Sequence, residues 1–280
     1  MSKIDEKTAE LTERGMNDML IFVSSPDIYS DVFSVFLQCF ARFCKDCPYD
    51  FVLSTNTNKF DGITVYNNGA KNDSWMDRAY PVLHNLHVDY MLFLCDDLII
   101  TEKVDFTKIN LILKEMKEKN INFCGLTNFI RGRRVSKDSL LSYVKKNMPY
   151  AKNLQSGIVK RSYFLNMLEN GDKSPWELEV QWLKEASKAP DEYYDDVVSC
   201  KENILHCENG VRKGKWSWLT VHKLRKLGIT VNTDKREVIP LVTEVKSKVF
   251  SFIGKKIPAT YRPMLKKIAN HMGQNFFSEF

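Results

Sequence analysis

The chain has 280 residues, 44% hydrophobic and 12% aromatic, which supplies a packed core and excludes a disordered polypeptide. Its net charge of +6 suits an anionic small ligand or a membrane surface as well as nucleic acid, and so selects no partner. No apolar run approaches the roughly 20 residues that span a bilayer and the first residues are polar, so the sequence predicts a cytoplasmic protein. Seven cysteines agree with a reducing compartment; Cys44 and Cys47 form a C-x-x-C with no second pair at zinc-like spacing.

Residues 1–18 read as a polar leader. Met19 to Val23 (MLIFV) is the first predicted buried strand, and the polar turn Ser24, Ser25, Pro26 and Asp27 follows at its carboxyl end, the position of a ligand loop. Phe33, Phe36, Leu37 and Phe40 recur at i, i+3, i+4 and i+7 and predict a helix over Tyr29 to Phe43. Phe51 to Ser54 and Ile63 to Tyr66 are short strands. Ser74 is an N-cap with Asp77 at the third helical position; Pro81 then either kinks this helix or makes it restart near Ala79.

The next stretch, Asp89 to Thr101 (DYMLFLCDDLIIT), ends an apolar run in two adjacent acids. A run without alternation reads as a strand buried on both faces, and ligands of open α/β sheets bind beyond the carboxyl ends of strands. Asp96 and Asp97 repel each other in a dry core, and a divalent cation would turn that repulsion into ligation; a solvated pair capping a turn is the alternative. Asp105 caps a helix with Ile109, Ile112, Leu113 and Met116 inward, and Ile121 to Leu126 is the next strand. Strands alternating with helices predict an α/β domain.

Further on, Arg131, Arg133, Arg134 and Lys137 form a basic loop. Leu154 to Val159 predicts a strand and Arg161 to Leu168 a helix. Ser174, Pro175 and Glu177 spell an N-cap, a proline at the first helical position and a capping box. Glu177 is thereby given a structural task. Glu179 has none, and it points about 200° away around the helix. It is the carboxylate left to act as a base, or else an ordinary exposed glutamate. One or two strands fall in Tyr193 to His206. Asn209, Gly210 and Gly214 break the chain around Arg212, Lys213 and Lys215, a loop suited to a diphosphate. Trp216 to Leu227 is helical and Gly228 ends it. Beyond Val242 lysines alternate with apolar residues, a pattern that suits either an anionic membrane surface or a docked helix pair.

Five stretches, KDCPYDFVLSTN (residues 45–56), SWMDRAYPVL (74–83), YMLFLCDDLII (90–100), NLQSGIVKRSYFLNML (153–168) with SPWELE beyond, and NGVRKGKW (209–216), resemble in order and spacing the GT-A type nucleotide-sugar glycosyltransferases of bacterial capsule and lipopolysaccharide synthesis. The resemblance implies a Rossmann-like GT-A fold, a mixed sheet flanked by helices over residues 19–241, with a C-terminal helical tail over 242–280. It implies transfer of a sugar from a nucleoside-diphosphate sugar to a glycan or lipid-linked acceptor, with inversion, assisted by Mn²⁺ or Mg²⁺. The family's acidic motif is D-x-D, whereas here the acids are adjacent. The resemblance assigns the metal to Asp97, a ribose or metal-water contact to Asp96, and a further metal contact to His206. It assigns the donor nucleotide to Ser24, Ser25, Asp27 and Arg78, its diphosphate to Lys213 and Lys215, and the base to Glu179. It implies a cytoplasmic enzyme at the inner face of the plasma membrane with no nucleic acid partner; the basic tail takes no part in the resemblance, and its lysines and apolar residues suit a peripheral membrane contact or a docked helix pair. Two rival readings are a nucleotidyltransferase, against which VSSPDIYS lacks the usual glycines, and a non-catalytic binding module of a polysaccharide assembly complex.

Overall fold

The computed structural model describes residues 19–60, 63–67, 74–127, 130, 132–169 and 174–256, with the side chains of 250–256 excepted. The polar leader, Arg131 and the tail beyond Lys256 lie outside the described residues. The chain divides into two compact units, one ending at Glu208 and the other beginning at Asn209.

In the first unit the elements run β1 (Met19–Ser24), α1 (Ser30–Phe43), β2 (Phe51–Thr55), β3 (Thr64–Asn67), α2 (Trp75–Asn85), β4 (Tyr90–Leu94), β5 (Leu98–Ile100), α3 (Phe106–Glu118), β6 (Phe123–Gly125), β7 (Arg133–Arg134), β8 (Leu141–Lys145), β9 (Gly157–Lys160), α4 (Arg161–Leu168), α5 (Pro175–Lys188) and β10 (Tyr193–Cys200). Nine strands form one sheet in the order β3-β2-β1-β4-β9-β6-β10-β8-β7. The four strands from β3 to β4 are parallel, and every residue of β4 is buried, as its unbroken apolar run predicts. β9 then runs antiparallel to both of its neighbours, β4 and β6, and β10 returns parallel to β6. The sheet is therefore mixed, and β4 has a parallel partner on one side only. β9 fits this slot because residue 157 has no side chain: a Cβ on Gly157 would stand 2.7 Å from the Cys124 carbonyl oxygen.

Local signals explain most boundaries. Ser74 and Asp77 form a reciprocal capping box, and α2 passes through Pro81 as one continuous helix, without a restart at Ala79. The core stripe of α1 is Val32, Phe33, Val35, Phe36 and Cys39, so Phe33 and Phe36 face inward as expected while Leu37 and Phe40 are only partly buried. Asp105 caps α3 by accepting from Lys108 N–H at 3.1 Å. The Leu154 to Val159 run becomes a strand only from Gly157, because Leu154 and Ser156 are bound elsewhere, as described below. The stretch from Tyr193 holds a single strand that ends at Cys200, with an irregular register against β8.

After β11 (Cys207–Asn209), the second unit contains the hairpin of β12 (Val211–Arg212) and β13 (Lys215–Trp216), then α6 (Trp218–Lys226) and α7 (Leu241–Lys256). Lys213 and Gly214 make the two-residue turn with φ of 51° and 74°, the conformation that a twisted two-residue hairpin demands. The helix expected from Trp216 starts two residues later, because Ser217 is its N-cap and accepts from Thr220 N–H at 3.2 Å. Trp216 instead closes β13 and is fully buried. Glu244 of α7, 2% exposed, accepts from Ser217 Oγ at 2.6 Å and from Leu219 N–H at 3.2 Å. Its carboxylate thus meets the amino terminus of α6, where backbone donors and the helix dipole favour an anion.

Candidate active site

Parallel pairing of β1 with β4 sets their carboxyl-terminal turns side by side, with Val23 opposite Leu94. One turn carries Ser24, Ser25 and Asp27, and the other Cys95, Asp96 and Asp97. Ser25 Oγ donates to Asp96 Oδ2 at 2.5 Å across this junction. Asp96 is 8% exposed, and burial pushes its carboxyl up to about 7. The neighbouring Asp97 charge adds to that rise, while the Ser25 hydrogen bond offsets part of it. Asp97 is likewise raised by burial, partly countered by a backbone N–H. Two acids side by side in this setting disfavour each other's ionised form.

Asp27 does other work. Its carboxylate accepts from Thr55 Oγ1 at 3.0 Å, from Thr57 N–H at 3.1 Å, from Asn58 N–H at 3.2 Å and from the Thr57 hydroxyl. Burial by itself would raise its pKa, but these donors together hold it below the usual carboxylate range. Asp27 therefore stitches the turn after β1 to the turn after β2. Ser24 Oγ is buried and has no hydrogen-bond partner among the described residues. Arg78, 7% exposed in α2, lies over the end of β2: its carbonyl accepts from Ser54 Oγ at 2.7 Å, and its Nη1 donates to Ser74 O at 3.2 Å.

Glu179 is drawn to the acid pair through a buried turn. Its Oε1 accepts from Leu154 N–H at 2.8 Å. The Leu154 carbonyl in turn accepts from Cys95 Sγ at 2.9 Å, and Ser156 Oγ accepts from Cys95 N–H at 3.4 Å. Cys95 directly precedes Asp96, so one chain of contacts joins the acids to Glu179. Burial raises the Glu179 carboxyl above its ordinary value; the Leu154 N–H opposes that, and the Asp97 charge reinforces it. Glu177, by contrast, bonds Ser174 N–H at 2.8 Å and Ser174 Oγ at 2.7 Å, which is the capping box. Sequence reasoning missed Cys95 and Leu154 as elements of the site. The only signal for them was that both lie in the stretches carrying the family resemblance.

His206 stands with its Nδ1 3.7 Å from Glu102 Oε2, and its carbonyl accepts from Thr101 N–H at 2.9 Å. No group of three His, Cys, Asp or Glu side chains among the described residues is arranged to hold a metal by itself. Lys213 and Lys215 belong to the second unit, where Lys215 Nζ pairs with Glu237 Oε2 at 2.6 Å.

No protein-family model matches the chain, and no curated protein does either. Among solved structures, S. aureus TarS 1–349 is similar at 10% identity over 65% of this chain and 60% of that one, with a TM-score of 0.39. The same fragment in complex with UDP aligns at 11% identity over 94% of each chain, with a TM-score of 0.41. CMP:2-keto-3-deoxy-manno-octonic acid synthetase complexed with CTP aligns at 13% identity over 75% of this chain and 98% of that one, with a TM-score of 0.42. The chain spans 60% and 52% of the first two TarS structures it matches. At TM-scores below 0.5 these likenesses carry no functional argument, and the reading of the site rests on its own side chains.

Proposed function

We propose that the first unit is a glycosyltransferase that binds a nucleoside-diphosphate sugar beyond β1 and β4 and moves its sugar to a hydroxyl of a glycan or lipid-linked glycan. The observation that carries this reading is the delivery of one half-buried carboxylate, Glu179, to the buried Asp96 and half-buried Asp97 through Leu154 and Cys95. The sequence resemblance to GT-A enzymes supports it.

The acids suit Mn²⁺ or Mg²⁺: such hard cations take one or two protein carboxylates and complete their shell with water and substrate phosphates, so a third protein ligand is not needed. Asp97 and Asp96 would hold the ion, which when bound stabilises the charge of a departing diphosphate. The protein's own groups do the rest. Ser25 fixes the Asp96 carboxylate, and Asp27 keeps the donor turn in shape. Leu154 N–H occupies Glu179 Oε1 and leaves Oε2 to take the proton of the acceptor hydroxyl as that oxygen attacks the sugar from the face opposite the diphosphate. Burial strengthens Glu179 as a base, because a raised pKa means a tighter hold on the transferred proton.

Thermal shift with UDP, CDP and GDP, each with and without Mn²⁺, tests the reading. One diphosphate should stabilise the protein only with metal, and Asp97→Ala should abolish the response. A preference for triphosphates would favour nucleotidyl transfer, and no response to any nucleotide would leave a binding module. For the second unit we infer a peripheral membrane contact: Val242, Val245 and Val249 are exposed at i, i+3 and i+7 of α7 beside Lys246 and Lys248. Co-sedimentation with vesicles containing anionic lipid, lost in Val245→Asp, is the expected result; equal binding to neutral vesicles would refute an electrostatic contact.

A further inference from the structure

Large exposed aromatic side chains are scarce in the first unit. Among its described residues the exposed large hydrophobics are Ile28, Leu111, Tyr150 and Trp176, and the two aromatic ones both belong to the segments that position Glu179. Trp176, 57% exposed, lies three residues before Glu179 on α5, so the two side chains share a helix face while Leu178, Trp182 and Ala186 take the core. Tyr150, 41% exposed, opens the turn whose other end, Leu154, donates to Glu179. Asn153 clamps this turn, with Nδ2 donating to Tyr150 O at 2.9 Å and Oδ1 accepting from Gln155 N–H at 3.0 Å. Lys152 Nζ reaches Glu185 Oε2 at 3.5 Å and holds the turn along α5. Burial raises the Tyr150 phenol above its ordinary value, and the Glu179 charge raises it further.

Tyr150 also has φ of 62°, a left-handed conformation that costs a residue with a Cβ on the order of 1 kcal/mol or more.

We propose that Tyr150 and Trp176 form, with Glu179, the acceptor subsite, and that this subsite takes a neutral pyranose glycan. A sugar ring presents C–H faces that pack on exposed aromatic rings and an equator of hydroxyls, one of which would meet the carboxylate. Glu179 and Asp97 make the surroundings anionic, which disfavours a phosphorylated or carboxylated sugar at this subsite. Lys152, the nearest lysine of the turn, is already engaged by Glu185. The proposal deepens the glycosyltransferase reading and rests on it.

An array of immobilised bacterial-type glycans, probed with the full chain, tests it. The unmodified protein should bind a subset of neutral glycans. Tyr150→Ala and Trp176→Ala should each lower the apparent affinity by roughly tenfold, while Tyr150→Phe and Trp176→Tyr retain it. Both rings are exposed, so the alanine variants should keep the parent melting temperature and the metal-dependent nucleotide response. Absence of binding to every glycan, or unchanged binding in both alanine variants, overturns the subsite. A weakened nucleoside-diphosphate response in Trp176→Ala would assign the ring to the donor and overturn it too. Failure of the nucleotide response in the unmodified protein sinks the transferase reading itself, which the array alone does not measure.

Discussion

The Ser25 hydroxyl donates to the Asp96 carboxylate at 2.5 Å, so the turn after β1 holds in place an acid presented by the turn after β4. This bond joins residues 71 positions apart and partly offsets the cost of burying the charge.

That cost has a pH signature. Burial raises Asp96 from the ordinary 3.8 to about 7, so the folded protein binds its proton more tightly than the unfolded chain does. Stability from this group is complete below the unfolded pKa and is lost as pH rises towards 7. With a chelator present, Asp96→Asn should flatten this fall and be more stable than the parent at pH 8, by on the order of 2–4 kcal/mol. Calorimetry between pH 5 and 8 reads the difference; parallel curves for the two proteins would refute the assignment.

Glu179→Gln keeps an oxygen to accept from Leu154 N–H but removes the base. We expect turnover to drop by about 10²–10⁴-fold with donor affinity unchanged. A variant that retains turnover would return Glu179 to a purely structural part, that of anchoring Leu154.

Asp27 carries the opposite pH dependence. Its folded pKa is depressed once the threonine and backbone donors outweigh burial, so its contribution is present above the unfolded pKa and is lost as pH falls through the folded value. Asp27→Ala should destabilise the protein by about 1–3 kcal/mol at pH 7. The penalty should shrink in urea titrations at pH 3, and an equal penalty at both pH values would contradict the hydrogen-bond account.

In the second unit, Glu244→Ala would leave Leu219 N–H without its acceptor and Ser217 Oγ without its partner in a buried setting. A loss of about 2–4 kcal/mol follows from removing a charged acceptor of two bonds. Hydrogen exchange should show the Leu219 amide and α7 losing protection together. If α7 keeps its protection, apolar packing rather than the Glu244 contact holds it.

Much of this was legible in the sequence wherever a local signal decides the structure. The Ser74 and Ser174 caps, the buried run of β4 and the helix over Arg161 to Leu168 need only neighbouring residues, and the structure has them where the pattern places them. What the pattern could not convey is long-range. Leu154 reads as the start of a strand, yet its N–H and C=O are committed to Glu179 and Cys95, partners 25 and 59 residues away. Asp27 reads as a ligand residue because it stands at a strand end, and only the folded chain shows that it also accepts from Thr55, Thr57 and Asn58. The basic loop at Lys213 and Lys215 reads as a phosphate cradle, and only the folded chain shows that Lys215 also pairs with Glu237, 22 residues on.

The antiparallel strand β9, admitted beside β6 by Gly157, gives the first unit a seam. On one side, β1 and β4 with their turns carry Ser25, Asp27, Asp96 and Asp97; on the other, the turn leading into β9 and the helix α5 carry Leu154 and Glu179. The bonds from Cys95 to Leu154 and Ser156 join the two sets, beside the backbone pairing of β4 with β9. Such a chain can diversify by exchanging residues 146–156 and the first turns of α5 as a cassette while the parallel half stays constant. On the proposed glycosyltransferase reading, a chimaera that replaces residues 146–156 and α5 together, with β1 and β4 kept, is expected to change the acceptor and leave the donor nucleotide unchanged.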